Sequence, residues 1–234
     1  MDFRANLIAL VALVLSYPAY AISPGQIDNF QDGTTQNWTN GGVPGVPPVV
    51  NVPTGGPGGA GDRFIQVTSV ASPPGNRLTT FNRDQWLGNY IAAGVTTIEM
   101  DLENLSDIQL SIRIAFRVEF SPSSAGYLSL PMILAPGGGW QHAVFSITEA
   151  NLIAVGAPPD YITFFTSGIV ETRIINEVGS TNLNGDVVVG QLGIDNIHAV
   201  PEPNSFLLGA IGFIAVVVTG LRKKRASLRR VTLK

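Results

Sequence analysis

IQLSIRIAFRVEF, residues 108–120, is the clearest strand in the sequence. Its apolar residues occupy every second position from Ile108 to Phe120, and the residues between them are polar, charged or alanine. A period of two over this length predicts a strand with one buried face and one largely solvated face. Because antiparallel sheets produce such alternation, the stretch favours an antiparallel β protein.

Further strand candidates are rich in apolar and β-branched residues and lie at 27–30, 62–70, 96–103, 127–134, 140–147, 161–165, 171–178 and 192–199. Turn sequences such as Pro136-Gly137-Gly138-Gly139 and Asn184-Gly185 separate them. Residues 41–61 hold five Pro and eight Gly, which predicts a long surface loop. The sequence therefore predicts an all-β fold, an antiparallel β-sandwich of the jelly-roll type spanning 22–199.

Charge is distributed unevenly along the chain. Residues 22–200 contain six basic and 15 acidic residues, a net charge of about −9, whereas seven of the 14 basic residues follow position 221. An acidic body of this kind does not suit binding to nucleic acid. The sequence contains no cysteine, which excludes disulfides, thiolate catalysis and thiolate metal sites.

Both ends carry apolar segments. Residues 1–21 read as a secretion signal, since Arg4 precedes the apolar run 7–15 and small residues Ala19 and Ala21 stand where cleavage requires them. Residues 206–221 predict one transmembrane helix. A basic block follows it and should remain cytoplasmic, which leaves the sandwich outside. This block consists of Arg222, Lys223, Lys224 and Arg225.

The tail 200–234 resembles a PEP-CTERM sorting signal. The resemblance rests on the motif at 200–205, whose core is Val200, Pro201, Glu202 and Pro203, followed by the apolar helix and the basic end at 222–234. It implies recognition and processing by a membrane-embedded exosortase. It also implies a Gram-negative, exopolysaccharide-producing host, with the protein held in the inner membrane and then delivered to the cell surface or exterior.

The body resembles galactose-binding-like and carbohydrate-binding jelly rolls. The resemblance rests on an opening stretch, Asn29-Phe30-Gln31-Asp32-Gly33 with Trp38 after it, and on a closing strand, Gly193-Ile194-Asp195-Asn196-Ile197. It implies a structural calcium site with Asp32 and Asp195 as carboxylate ligands, although Gln31 stands where an acidic ligand is common. The alternative is that both aspartates serve turns and strand ends.

Trp86 and Tyr90 are the predicted residues for stacking on sugar rings, because they stand in a predicted loop beside Arg83 and Asp84. Trp38 and Trp140 are further candidates, and the alternative is that all three tryptophans belong to the core. The only histidines, His142 and His198, have neither metal-ligand spacing nor a recognisable nucleophile beside them.

These observations favour an exported, non-enzymatic component of the exopolysaccharide or biofilm matrix. Its predicted partners are an exosortase, the membrane and a polysaccharide, and no catalytic residues are assigned. Two alternatives remain open. One is a carbohydrate-active hydrolase on the same sandwich, and the other is a structural matrix protein without a specific ligand.

Overall fold

A computed structural model describes residues 21–118 and 125–202. Several predictions fall outside these residues. At the N-terminus they are the signal segment up to Tyr20 and its residue Ala19. At the C-terminus they are Pro203, the apolar helix at 206–221, and the basic residues Arg222, Lys223, Lys224 and Arg225. Within the described ranges, no helix has the length and apolar character needed to cross a membrane.

The first sheet, called sheet A, is antiparallel and six-stranded. Its strands, in spatial order, are β2 (Val50–Val52), β3 (Phe64–Ser69), β12 (Gly190–Pro201), β5 (Val95–Asn104) and β9 (Trp140–Ser146). The short strand β1 (Ile27–Asp28) also pairs with β12. Val200 and Pro201, the first residues of the predicted sorting motif, are the last two residues of β12.

The second sheet, sheet B, is also antiparallel and six-stranded. In spatial order it contains β10 (Leu152–Val155), β7 (Gly126–Ser129), β6 (Leu110–Arg117), β11 (Glu171–Asn176) and β4 (Thr79–Asn82). The remaining strand, β8 (Met132–Leu134), pairs with β6. The sequence indicated neither β4 nor β10, and it placed β2 inside a loop.

Apolar residues from both sheets form one core between them. Ile98, Met100 and Leu102 on β5 are almost fully buried, and so are Ile112 and Phe116 on β6. Alternation along β5 sends the intervening residues to the opposite side of the sheet. The architecture is therefore an antiparallel β-sandwich, as the alternation of residues 108–120 predicted.

Residues 161–165 were predicted as a strand, and this prediction is wrong because they lie in helix α2 (Tyr161–Ser167). The carboxylate of Asp160 accepts a hydrogen bond from the amide of Thr163 and caps the helix. Phe164 and Phe165 are fully buried. Tyr161 and Phe165 are four residues apart, a helical spacing that brings both rings to one side. A short helix α1 (Tyr90–Ala93) contacts α2.

Strand β6 differs from its prediction in one respect. All eight of its residues are buried, so neither face is solvated. Leu183 covers the second face by packing with Ala115, Leu128 and Ile175. The pattern gave the correct periodicity, but the loop that covers the outward side is distant in sequence. The predicted strand at 127–134 is also divided into β7 and β8.

Candidate functional site

The outer face of sheet A is the side that points away from the core. Strand pairing fixes which residues share it, because directly opposite residues of antiparallel strands project to the same side. Glu103 on β5 lies opposite Trp140 on β9 and Gly193 on β12. One level along the strands, Asp101 lies opposite His142 and Asp195. The outer face of sheet A therefore combines an aromatic ring, carboxylates and an imidazole.

Trp140 lies flat on this face. A Cβ atom on Gly193 would lie 2.9 Å from Cη2 of the indole, although the two residues are on strands separated by β5. Because two strand spacings amount to about 10 Å, the side chain must extend along the sheet to reach that point. Phe64 meets the ring edge-on, with ring centroids 5.1 Å apart. The indole stays partly exposed, so it offers a supported aromatic surface to a ligand.

The glycine-rich loop after β2 borders this aromatic surface. Nε1 of Trp140 donates a hydrogen bond to the carbonyl of Gly55 at 2.9 Å. Asp62 organises the loop by accepting a bond from the amide of Gly58 at 2.6 Å. A Cβ atom on Gly56 would lie only 2.6 Å from the Asp62 carboxylate, so a side chain at this position would displace that carboxylate.

Two carboxylates of this face differ in their partners. Asp101 accepts bonds from Nδ2 of Asn196 at 2.8 Å and pairs with Nδ1 of His142 at 3.1 Å. The side-chain carboxylate of Glu103 makes no hydrogen bond or ion pair with any residue that the structure describes. Partial burial raises the pKa of the Glu103 carboxyl above its usual value.

Asp195 is the most buried acid on the outer face of sheet A, with no exposed surface. Its Oδ1 accepts the amide hydrogen of Asn196, while Oδ2 is buried without a hydrogen-bond partner among the described residues. Burial raises the pKa of this carboxyl to about 7, and the negative charges of Asp62 and Asp101 act in the same direction.

The predicted calcium ligands, Asp32 and Asp195, have separate environments. Asp32 is exposed, and both of its oxygens accept bonds from Thr34 within its own turn. These bonds lower the pKa of the Asp32 carboxyl. Among the described residues, no three His, Cys, Asp or Glu side chains form a group that could hold a metal.

Gln31 indicates why the residues near Asp195 fit calcium poorly. Its side-chain Nε2 lies 2.7 Å from Oδ1 of Asp62 and also donates to the carbonyls of Asn29 and Arg63, at 3.1 and 3.2 Å. An N–H donor thus engages oxygens that a calcium ion would need, since calcium takes six to eight oxygen ligands. The calcium site stays a prediction, and its test is given below.

The predicted stacking residues, Trp86 and Tyr90, lie in the core and expose no ring face. Their exposed fractions are 0% and 1%. Nε1 of Trp86 and Nε1 of Trp38 both donate to Oδ2 of Asp28, at 2.6 and 2.8 Å. The hydroxyl of Tyr90 donates to the carbonyl of Trp86 at 3.0 Å. Since these polar atoms find partners inside the protein, the rings can be buried. The stacking prediction therefore fails for this pair.

The outer face of sheet B has a different character. Glu171 is fully buried there and pairs with Arg83 at 2.5 Å, with Arg117 at 3.2 Å and with Arg173. Hydrogen bonds and charge from Arg173 and Arg83 outweigh burial and lower the pKa of the Glu171 carboxyl. The guanidinium of Arg83 also lies 4.3 Å from the ring centre of Phe81. These charges form a closed network.

Sequence reasoning named Trp140 as a candidate but missed its support and the carboxylate beside it. The glycine in the closing strand was a usable signal, because glycine in a strand often marks the close approach of another group. The partner of Gly193 could not be read from the sequence. It depends on β12 pairing with β5 and on β5 pairing with β9, over separations of up to about 100 residues.

Comparisons with known proteins concern the fold. No protein-family model matches this chain, and no curated protein sequence does. An exo-beta-agarase structure is similar with a TM-score of 0.50 at 12% identity, over 77% of this chain and 25% of the agarase chain. At this identity the likeness supports the β-sandwich fold and no more.

Two further solved structures are less similar. The family 11 carbohydrate-binding module from Clostridium thermocellum, in complex with a beta-1,3-1,4-mixed-linked tetrasaccharide, has a TM-score of 0.47 at 12% identity, over 76% of this chain and 97% of that chain. The N-terminal cellulose-binding domain of Cellulomonas fimi beta-1,4-glucanase C has a TM-score of 0.38 at 12% identity, over 80% of this chain and 99% of that domain.

Proposed function

We propose that this protein is a non-enzymatic glycan-binding module of an exported protein, and that the glycan lies on the outer face of sheet A. The observation that carries the proposal is the indole of Trp140, which lies flat over Gly193 and stays partly exposed. The apolar face of a pyranose ring can pack on such an aromatic surface, and polar groups around it can hydrogen-bond to the hydroxyls.

The polar groups around the indole support this assignment. Gln66 and Gln191 are partly exposed on the same face, and Glu103 lies beside the indole, so donors and acceptors surround the aromatic surface.

Binding can be tested on immobilised polysaccharides, with mixed-linkage β-glucan and agarose as probes. Trp140→Ala should weaken retention at least tenfold, equivalent to about 1.4 kcal/mol. Val144→Ala is the matched control, because Val144 is exposed on the same strand and the same face. Retention unchanged by Trp140→Ala would refute the proposed site, and release of reducing ends would favour a hydrolase instead.

We also propose that the sandwich is exported and then processed at its tail. The proposal rests on the signal at 1–21, with cleavage after Ala21, and on the motif Val200 to Pro203 before an apolar segment and a basic end. An exosortase would then release the sandwich to the cell surface or the polysaccharide matrix. Replacing Pro201, Glu202 and Pro203 by alanine should leave a membrane-bound product of full tail length by intact mass, and equal release of both proteins would contradict it.

A further inference from the structure

The charge of the outer face of sheet A is one-sided. Glu99, Asp101 and Glu103 occupy successive outward positions of β5. The outward positions of β3, β12, β5 and β9 include no lysine or arginine, and only His142 and His198 among them can carry a positive charge. A ligand on Trp140 therefore meets negative potential on the adjacent strand.

One carboxylate of this face, that of Glu103, has no side-chain partner among the described residues and lies beside the indole. Asp195, opposite Asp101, is fully buried, so a ligand on this face does not reach its carboxyl group. Because a desolvated, unpaired carboxylate is costly, a positively charged donor from a ligand would be bound favourably at Glu103.

We infer that the bound glycan carries positively charged amino groups, as in a polymer of glucosamine or another hexosamine. The inference rests on the proposed function and specifies its ligand class. A sugar ring on Trp140 brings its substituents next to Glu103, where an ammonium group can form a charge-assisted hydrogen bond. Asp101 and Glu99 continue the row along β5 at intervals of about 7 Å. Both already face His142, at 3.1 and 3.7 Å, so Glu103 is the carboxylate available to an amino group.

Other glycan classes fit less well. Polymers with uronate or sulfate groups would bring negative charge against three outward carboxylates on one strand. A neutral glycan could stack on Trp140, but it would remove water from Glu103 without supplying a cation. An amino sugar can both stack on Trp140 and donate a charge-assisted hydrogen bond to Glu103.

The test compares two oligosaccharides of equal length by calorimetry at about pH 6, where amines are protonated. One is an oligomer of glucosamine, and the other is its neutral N-acetylated counterpart. The glucosamine oligomer should bind at least tenfold more tightly, and the difference should shrink at about 0.5 M salt because exposed charges are screened. Trp140→Ala should lower the affinity for both oligomers.

Glu103→Gln separates the charge from the shape of the site. It should remove most of the preference for the glucosamine oligomer and leave affinity for the N-acetylated oligomer unchanged. Glu149→Gln is the matched control, because Glu149 is exposed outside this face and the variant has the same net charge. This control should retain the preference.

The outcomes distinguish the inference from the proposed function. Equal binding of both oligomers, lost in Trp140→Ala but indifferent to Glu103→Gln, would overturn the amino-sugar inference and leave glycan binding intact. Failure of both oligomers and of mixed-linkage β-glucan and agarose to bind would overturn the proposed function, and the inference with it.

Discussion

The two sheets of the sandwich differ in whether their outward carboxylates have partners. On the outer face of sheet B, Glu171 is enclosed by three arginines and fully buried. On the outer face of sheet A, Glu103 remains without a partner beside the partly exposed Trp140. A buried charge must be paired to be tolerated, whereas an accessible one can remain available for a ligand. Under the proposed function, sheet B contributes stability and sheet A contributes recognition.

The largest expected effect is on stability, from Glu171→Gln. It leaves the guanidinium groups of Arg83, Arg117 and Arg173 without their shared carboxylate, and breaking a buried pair of this kind costs about 3–5 kcal/mol. Urea unfolding measures the loss. Glu103→Gln on sheet A should change the free energy of unfolding by no more than about 0.5 kcal/mol. Similar effects of both variants on the free energy of unfolding would contradict this difference between the two sheets.

The pH dependence of stability should differ between the sheets. The folded protein binds a proton at Asp195 between about pH 4 and 7 that the unfolded chain does not, since burial raises its pKa to about 7. Stability should therefore fall as pH rises through this window. Glu171 has a lowered pKa, so its contribution is present above about pH 4.5 and is lost as pH falls below that value.

Melting temperatures across this range test both signs. Asp195→Asn should remove the decline between about pH 4 and 7 and leave the loss of stability below about pH 4.5 unchanged. Glu171→Gln should remove the loss of stability below about pH 4.5 and leave the decline between about pH 4 and 7 in place. A wild-type melting temperature that rises steadily from about pH 4 to 7 would contradict the raised pKa of Asp195.

A smaller effect is expected from adding one methyl group to each sheet. In Gly193→Ala the new Cβ would lie 2.9 Å from the Trp140 ring, so the indole must move. We expect at least tenfold weaker glycan binding and a stability loss of about 1 kcal/mol. In Gly126→Ala on sheet B, the new Cβ meets the backbone oxygen of Phe116, which cannot move aside. That variant should lose more stability without a separate effect on affinity.

The smallest expected effect concerns calcium. Because Gln31 engages Asp62 with an N–H donor, calcium or a chelator should leave the wild-type melting temperature unchanged. Gln31→Glu replaces that donor by a carboxylate oxygen and should introduce a calcium-dependent increase. A clear calcium response in the wild type would support the original site and contradict this account of Gln31.

Some features of the protein were determined by its sequence alone. Alternation in 96–103, 108–120 and 140–147 identified β5, β6 and β9, because a strand must place alternate residues on opposite sides whatever it packs against. The acidic, lysine-free body and the missing cysteines limited the chemistry of the site. Charge and residue type do not depend on folding.

Which aromatic rings are buried depends on contacts between distant parts of the chain. Trp86 and Trp140 each stand near turn residues in the sequence, but Trp86 finds the carboxylate of Asp28 inside the core and Trp140 extends over Gly193 on the surface. The enclosure of Glu171 likewise depends on arginines that are distant in sequence or on a neighbouring strand. Local patterns cannot specify these contacts, since each depends on the pairing of strands that lie far apart in the chain.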